Sequence, residues 1–491
     1  MADQLPIFHV VGFTGHRQLR DAAGLERVMR EVLGNLRAEA GVEWIALSSA
    51  AAGSDILFAR CALALGMGWE AVLPLPPAEF RRDFSDTDWR EVETLLSEAE
   101  HVRVISERGL REDAYLDGGM ETVNHCDLLL AIWDGEPSRG RGGTAEIVAY
   151  ARELKRPLII LDAKTHAVRR ENFHQLKIGD HHISELNRLP LVGHSNAKGG
   201  DDKRQLVMAF HLKVDEAATQ GAPQFRRLLS ASTILGFFAT ALAASVVAFH
   251  VHHPALIWSQ LTCLFGALAL ATVVRRRRHQ QDWVRGRLAT EITRSALATW
   301  GLPRALRLFD DFDWVGLEPL RRSLDILQRR ATRTHPVNFD EFKQRYIHER
   351  IDAQLAYFEI QESKAVPLLA RLRSGFVISS FLAIAVVLAG ALHAALGDPL
   401  MKGWMEAGVF VFGPIVLPVL AAGFIALISI NDLHRRVARC HEMRIRLETA
   451  RKEVAFVQTW GALERVVAKA ERALLKEVFE WHSITSFTET R

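Results

Sequence analysis

Three glycine-containing turns near the amino terminus carry the residues with the clearest capacity for chemistry. They read GFTGHR (12–17), SSAAAGSD (48–55) and GRGGTAE (140–146). Glycine lets a backbone approach a ligand closely, and arginine pairs with phosphate oxygens through charge-assisted hydrogen bonds. A helix that begins at such a turn adds backbone N–H groups that attract anions. The three turns together predict a pocket for the phosphate of a nucleotide or nucleotide derivative.

The candidate ligand contacts are the glycines, hydroxyls and charged residues of these turns. They are Gly12, Thr14, Gly15, His16, Arg17, Gly53, Ser54, Asp55, Gly142, Gly143, Thr144 and Glu146. Ser54 or Asp55 could equally serve only as a helix N-cap, and the turns could belong to a scaffold that binds a protein partner. Neither GxxxxGK[ST] nor GxGxxG is present, which disfavours ATP hydrolysis and dinucleotide redox chemistry. We expect no metal and no cofactor beyond the nucleotide-type ligand.

The elements that must position these turns alternate along residues 1 to about 165. Six runs are strand-like: IFHVVGF, VEWIALSS, EAVLPL, HVRVIS, CDLLLAIW and PLIILD. Amphipathic stretches such as LERVMREVLGNLRAEA lie between several of them. The alternation predicts an α/β Rossmann-like domain, a parallel sheet with helices on both faces. Ligands of such sheets bind outside the carboxyl ends of the strands, where the three turns lie.

Four uncharged apolar runs follow, in two pairs, at 228–249, 254–274, 374–396 and 407–430. About 20 apolar residues cross a hydrocarbon core as a helix, and one Lys or Arg at the centre costs about 2.5–3.5 kcal/mol. Core helices of a large soluble bundle are the alternative. Length, missing charge and flanking arginines favour an all-α membrane region with four transmembrane helices in two hairpins. The spans hold no carboxylate or Lys, which makes an ion-coupled transporter the least favoured reading.

Arginines at the outer ends of the runs predict an orientation. They are Arg226 and Arg227, Arg275 to Arg278, Arg371 and Arg373, and Arg435 and Arg436. The loops inside the pairs contain only Lys402 as a Lys or Arg. The positive-inside rule then predicts a multi-pass protein of the bacterial cytoplasmic membrane, with both termini and the long connecting helices in the cytoplasm. We expect the basic clusters to contact anionic lipid, and no nucleic acid.

Whole-chain composition averages the two halves. The 491 residues carry a net charge of +3, which favours no single class of partner. The first residues, MADQLPIFHVVGF, read as a strand without a basic region before it, so we predict no cleaved signal peptide. The four cysteines are scattered without metal or disulfide spacing and are expected to be reduced packing residues.

The motifs GFTGHR, AAGSD and WDGEPSRGRGGTAEIVAYA resemble the SLOG superfamily. That superfamily joins DNA-processing Smf-type proteins to the Lonely Guy nucleotide hydrolases. The resemblance covers roughly residues 5 to 165 and implies a Rossmannoid domain that binds a nucleotide or its derivative. It also implies that the twelve candidate residues surround that ligand.

Whether such a domain would be an enzyme depends on one carboxylate. Lonely Guy proteins cleave the base from a nucleoside monophosphate and carry the signature PGGxGTxxE. On this chain Gly143 and Thr144 match its Gly-Thr pair, but Ile147 occupies the position of the final carboxylate. Glu146, one position earlier, could still act as a general base. We therefore favour sensing and keep a membrane-anchored hydrolase as the alternative.

The second half of the chain contains a repeat. RGRLAT (285–290) precedes TWG (299–301) after the first apolar pair, and RIRLET (444–449) precedes TWG (459–461) after the second. A helix, a hairpin and a trailing helix resemble the SLATT family of two-span modules. That resemblance implies a membrane effector, proposed to form pores when triggered, in bacterial defence or nucleotide signalling.

These features predict an order of domains. A SLOG-like domain spans 1–170, a linker with a helix spans 171–221, and the first two-span module spans 222–305. A connector follows at 306–334, and the second two-span module with a carboxyl-terminal helix spans 335–491. The predicted function is a nucleotide sensor that controls a membrane effector, most simply as a homo-oligomer. A non-catalytic membrane scaffold remains a further alternative.

Overall fold

The computed structural model describes residues 4–106, 110–138, 140–176, 181–190, 202–251, 253–276, 279–304, 306, 316–334, 336–396 and 403–487. The chain divides into two compact units. The first comprises Met1–Leu189, Ala197–Phe210 and Asp313–His335, and the second Pro190–Asn196, His211–Phe312 and Pro336–Arg491. Along the sequence, the first apolar pair is therefore inserted into the first unit. Within the linker predicted at 171–221, residues 177–180 and 191–201 lie outside the described residues.

A seven-stranded sheet lies at the centre of the first unit. Its strands are β1 (Ile7–Gly15), β2 (Val42–Ser48), β3 (Gly68–Leu73), β4 (His101–Val104), β5 (Leu128–Trp133), β6 (Leu158–Asp162) and β7 (Val168–Glu171). Their order is β4-β3-β2-β1-β5-β6-β7, and every neighbouring pair is parallel except β6 with β7. The predicted α/β sheet is confirmed, and the six predicted strands are β1 to β6.

Strand β7 was not predicted. It pairs antiparallel with β6, and three of its four residues, VRRE, are exposed. An edge strand needs only one hydrogen-bonded neighbour, and its charged side chains discourage pairing with another chain. Such a strand lacks the apolar alternation by which the other six are recognised.

Helices pack around this sheet. They are α1 (Ala22–Arg37), α2 (Ser54–Ala64), α3 (Pro77–Phe80), α4 (Asp86–Glu98), α5 (Arg111–His125), α6 (Thr144–Glu153) and α7 (His181–Asn187), with 3₁₀ turns at Arg81–Asp83 and Phe173–Gln175. In α1 the buried residues include Leu25, Met29 and Leu33, one apolar stripe at helical spacing. The Asp21 carboxylate caps this helix by accepting the Gly24 N–H at 3.0 Å.

In the part of the chain that the structure describes, ten further helices follow. They are α8 (Asp202–Phe249), α9 (Pro254–Arg276), α10 (His279–Ala298), α11 (Glu318–Thr334), α12 (Phe339–Arg345), α13 (Ala353–Leu396), α14 (Trp404–Glu406), α15 (Gly413–Ile430), α16 (Leu433–Phe456) and α17 (Trp460–Phe487). π-helical stretches at Tyr346–Asp352 and Ala407–Phe412 join α12 to α13 and α14 to α15. The repeated RxRLxT motifs lie in α10 and α16.

Four helical stretches are long and apolar enough to cross a membrane: Arg227–Phe249, Pro254–Val274, Phe339–Ala395 and Trp404–Phe456. Each contains most or all of one predicted apolar run. In Pro254–Val274 none of the apolar window is buried within the chain, a surface that water would disfavour and lipid would accept. Within the first pair, the Ser232 hydroxyl donates to the Ala267 carbonyl oxygen at 2.9 Å. The prediction of four candidate membrane-spanning helices is confirmed within the described residues, by their length and composition.

Helix α11 packs on the amino ends of the strands, although the sequence places it in the connector between the membrane pairs. Arg329 pairs with Glu70 of β3 at 2.8 Å, and Arg322 pairs with Asp127, which precedes β5. The Ser323 hydroxyl donates to the carbonyl oxygen of Pro6 at 2.8 Å. Leucines of the same helix are buried beside these polar contacts. The first unit therefore includes a segment that begins 148 residues beyond its predicted boundary at 170, since α11 begins at Glu318.

In the second unit, a buried charge network joins four helical stretches. Arg350, in the π-helical stretch, donates to both carboxylate oxygens of Glu471 at 2.8 and 2.7 Å, and to Glu291 at 2.8 Å. Arg294 pairs with Glu291 at 2.5 Å and with Asp215 at 2.8 Å. These residues belong to α8, α10, the π-helical stretch and α17. Buried charges are costly unless paired, so the network ties these helices in one register.

The charges of this network support one another. Burial alone would raise the pKa of Glu291, but Arg294 and Arg350 hold it at about 2. Burial likewise opposes the charge of Arg350, and Glu471 and Glu291 more than compensate, so its pKa is raised. The Tyr346 hydroxyl donates to Glu471 at 2.9 Å. Glu291 and Arg350 therefore keep their charges at neutral pH.

Candidate functional site

The site lies where the strand order reverses direction. β1 has β2 on one side and β5 on the other. The connections from β1 and β5 therefore leave on opposite sides and open a crevice at the carboxyl ends of the strands. The first predicted turn, 12–17, is the carboxyl end of β1 as far as Gly15 together with the two residues after it, and the third turn follows β5, so both border this crevice.

The first and second turns are joined directly. β1 continues to Gly15, whose backbone packs so closely on Ser54 that a Cβ there would meet the Ser54 Cβ at 3.0 Å. The Ser54 N–H donates to the carbonyl oxygen of His16 at 3.2 Å. Gly53 adopts a φ of 89° and lies against the backbone of Arg17, a conformation and approach that favour glycine. The sequence therefore needs glycine on both sides of this contact.

Asp55 organises the second turn from within. Its carboxylate accepts the Ser49 hydroxyl at 2.8 Å and the Ser49 N–H at 3.3 Å. The residue is only 4% exposed. Burial raises the pKa of Asp55 to about 7, against the opposing effects of Ser49 and of the Arg17 charge. At neutral pH this side chain is therefore divided between carboxylic acid and carboxylate.

The third turn is closed by Glu146. Its carboxylate accepts the N–H of Gly142 at 2.7 Å. Gly142 has a φ of 74°, and a Cβ on it would meet the backbone nitrogen of Leu116 at 2.6 Å. Gly143 is the N-cap of α6 and has no side chain to satisfy the first N–H groups of that helix. The turn thus presents a helix amino terminus held in place by its own carboxylate.

His16 links the first turn to the strand end of β5. Its Nε2 lies 3.2 Å from the backbone nitrogen of Asp134 and 3.1 Å from Oδ1 of the same residue. A neutral Nε2 accepts the backbone N–H, whereas a protonated Nε2 donates to the carboxylate. Burial opposes the charge of Asp134, but the Glu136 N–H and His16 lower its pKa below the ordinary value. The two sides of the crevice are therefore connected through one imidazole.

A cavity of about 900 Å³ opens between these turns. Eight predicted residues line it: Thr14, Gly15, His16, Arg17, Asp55, Gly142, Gly143 and Thr144. The other four predicted residues, Gly12, Gly53, Ser54 and Glu146, are not among the described residues that line it. Gly12 instead packs against Cys126 and Thr122, and Ser54 lies behind Gly15. Those positions support the turns.

The sequence analysis missed one wall of the cavity. Arg111 and Tyr115 of α5 line it together with Asp83. Arg111 pairs with Asp83 at 2.6 Å, and the Tyr115 hydroxyl donates to the other carboxylate oxygen of Asp83. Arg111 and Tyr115 belong to α5 and Asp83 to a 3₁₀ turn, outside the three predicted turns, so no local pattern marks them. Only packing of α5 beside β1 brings them to the site.

Most charges in the cavity are already paired with each other. Arg141 pairs with Asp113 at 2.8 Å, and Lys164 pairs with Glu136 at 3.1 Å. Arg17 and Arg20 also line the cavity, and among the described residues neither forms an ion pair. The guanidinium of Arg17 lies 4.8 Å from the centroid of the Tyr115 ring. An anion could therefore bind Arg17 without breaking an existing ion pair.

The described part of the chain contains no group of three His, Cys, Asp or Glu arranged to hold a metal ion. The cavity offers hydrogen-bonding groups, two helix amino termini and the guanidinium groups of Arg17 and Arg20, which form no ion pair among the described residues. These groups fit a phosphate, and the volume leaves room for a base and a ribose.

No protein-family model matches this chain. No curated protein matches it either. The resemblance to SLOG and SLATT modules accordingly remains a prediction from the motifs.

Proposed function

We propose that this protein is a membrane-anchored sensor of a nucleotide or nucleotide derivative, and that the bound ligand controls its membrane region. The observation that carries the proposal is the cavity at the carboxyl ends of β1 and β5. Arg17 reaches this cavity without an ion-pair partner among the described residues, and two helix amino termini border it. Charged phosphate oxygens are the ligand that such groups bind best.

Control of the membrane region is the second part of the proposal. Its support is the chain path: residues 211–312, with the first apolar pair, are inserted between two segments of the first unit. A ligand that moves a two-state equilibrium from 1:99 to 99:1 must favour one state by about 5.5 kcal/mol. Several charge-assisted hydrogen bonds of about 1.5–3 kcal/mol each could supply that difference.

The binding test uses the full chain in lipid nanodiscs with a panel of nucleoside mono- and triphosphates and cyclic dinucleotides. A ligand at a hundred times its dissociation constant stabilises the folded state by about 2.7 kcal/mol, which thermal unfolding detects. Arg17→Gln should weaken binding by about tenfold or more, because a charge-assisted hydrogen bond is lost. Arg27→Gln, at an exposed position of α1, is the matched control. Failure of every nucleotide to bind would leave the scaffold alternative.

A hydrolase is the second candidate, and one observation favours it. Asp55 lines the cavity with a pKa of about 7, the range in which a general acid or base works at neutral pH. Glu146, the carboxylate expected from the sequence, is engaged with Gly142. Turnover of nucleoside monophosphates that Asp55→Asn abolishes and Glu146→Gln preserves would assign the reaction to Asp55. Binding without turnover supports the sensor.

The proposed effector is a pore or membrane-disrupting assembly in bacterial defence or signalling, formed by a homo-oligomer in the cytoplasmic membrane with both termini inside. The basic flanks of the spans support this orientation. The test is dye release from liposomes of phosphatidylethanolamine and phosphatidylglycerol, before and after addition of a ligand found by thermal unfolding. If that ligand changes neither release nor oligomeric state, the effector part of the proposal is wrong.

A further inference from the structure

Tyr115 has the features of a stacking platform inside the cavity. One side of its ring is beneath the Arg17 guanidinium, 4.8 Å from the ring centroid. The buried ring of Phe80 lies 6.2 Å away, centroid to centroid. Tyr115 itself is half-buried and lines the cavity. An aromatic ring packed against the core and facing the cavity presents a flat surface to a planar ligand.

The ring is held in one orientation by polar contacts. Its hydroxyl donates to Asp83, and Asp83 is paired with Arg111 at 2.6 Å. Arg111 also donates to the carbonyl oxygen of Glu79 at 3.1 Å. Asp83 directly, and Arg111 through Asp83, therefore fix the ring before any ligand arrives, which reduces the entropy lost on stacking.

Arg17 can leave the ring without breaking an ion pair, since it forms none among the described residues. A phosphate offers its guanidinium two oxygens in one plane, a stronger partner than an aromatic face. A nucleotide can thus replace the single Arg17–Tyr115 contact by two contacts, phosphate with Arg17 and base with Tyr115. Base-on-aromatic stacking tolerates any base because each has a π face.

We propose that Tyr115 is the base-stacking subsite of this cavity, so that the ligand class is a phosphate ester bearing a planar heteroaromatic base. This inference rests on the proposed nucleotide-sensing function and deepens it. Tyr115 then favours ligands that carry a base over ligands that carry none, whereas Arg17 binds the phosphate. Sugar phosphates without a base should bind Arg17 and make no stacking contact with the Tyr115 ring.

The experiment compares the four common nucleoside monophosphates with ribose 5-phosphate, binding to the full chain in lipid nanodiscs. The wild type should bind its preferred nucleotide about 5-fold to 150-fold more tightly than ribose 5-phosphate. Tyr115→Leu should reduce nucleotide affinity to that of ribose 5-phosphate and leave ribose 5-phosphate unchanged. Tyr115→Phe keeps the ring and should retain most of the preference.

Each other outcome has a separate meaning. Equal losses for nucleotide and ribose 5-phosphate in Tyr115→Leu would show that Tyr115 only positions Arg17, and would overturn the stacking subsite. Equal affinity of the wild type for the two ligand classes would overturn it as well, while the phosphate site stands. If nothing binds the wild type, the proposed function fails and this inference fails with it. Retained ribose 5-phosphate binding also demonstrates that the leucine variant is folded.

Discussion

Replacing Glu471 by Gln should destabilise the helices of the second unit by several kcal/mol. The side chain of Glu471 is fully buried, and Arg350 beside it is 3% exposed. The substitution keeps the size of the side chain but removes the negative charge that faces the guanidinium at 2.7 and 2.8 Å. Among the described residues, Glu291 then remains as the charged partner of Arg350, at 2.8 Å.

The magnitude follows from the burial of the pair. Removing one partner of a buried ion pair typically costs about 3–5 kcal/mol, because the other charge stays in a medium of low polarity. An exposed pair is the matched control. Lys469, in the same helix α17, pairs with Glu453 at 2.7 Å while 68% exposed. Glu453→Gln should therefore cost at most about 1 kcal/mol.

Hydrogen–deuterium exchange of the full chain in detergent micelles can measure both changes locally. A loss of 3–5 kcal/mol corresponds to about two to three and a half orders of magnitude faster exchange for amides that open with the network. We expect this acceleration in the Tyr346–Asp352 stretch and in α17 for Glu471→Gln. If exchange there rises by less than about tenfold, as in Glu453→Gln, the network does not stabilise the helices and the reasoning is refuted.

Three further predictions concern the first unit. Because the pKa of Asp55 is raised from 3.8 to about 7, the free energy of unfolding should fall as pH rises from about 4 to above 7. The loss is on the order of 4 kcal/mol, and Asp55→Asn should abolish it in denaturant titrations at pH 5 and 8. Burial opposes the charge of Asp127, but Arg322 holds its pKa well below the usual range. Stability should therefore fall as pH drops below about 4, and Asp127→Asn should remove this acid dependence, measured by thermal unfolding. Gly142→Ala should weaken nucleotide binding by tenfold or more, because Gly142 has a φ of 74° that strains any residue with a Cβ. In Gly140→Ala the added Cβ would have no atom within 4 Å, so this variant should bind the nucleotide normally.

Local pattern was sufficient to predict strands β1 to β6 and the four spans. A buried parallel strand is a short apolar run, and a membrane helix is a long one, so each can be recognised from neighbouring residues alone. Strand β7 was not predicted, because an exposed edge strand has no such apolar run. Whether a strand can be predicted depends on how much of it is buried. A strand covered on both faces has an apolar composition, whereas an exposed strand does not.

The candidate site was predicted in part for a topological reason. Parallel strands bring their carboxyl ends to one edge, so turns that follow β1, β2 and β5 had to meet. Which residues of each turn face the cavity depends on backbone direction. Gly12 faces Cys126, and Glu146 turns back to Gly142, although both lie within the predicted motifs.

Residue patterns that repeat over a few positions were enough to predict the α/β sheet, the candidate spans and the sheet edge that carries the candidate site. Only the tertiary structure decided that Tyr115 lies beside Arg17, that Arg322 meets Asp127 across 195 residues, and that Asp55 is buried enough for a pKa near 7. Desolvation and charge pairing depend on atoms that are close in space and distant along the chain. Such contacts exist only after the helices and strands have packed.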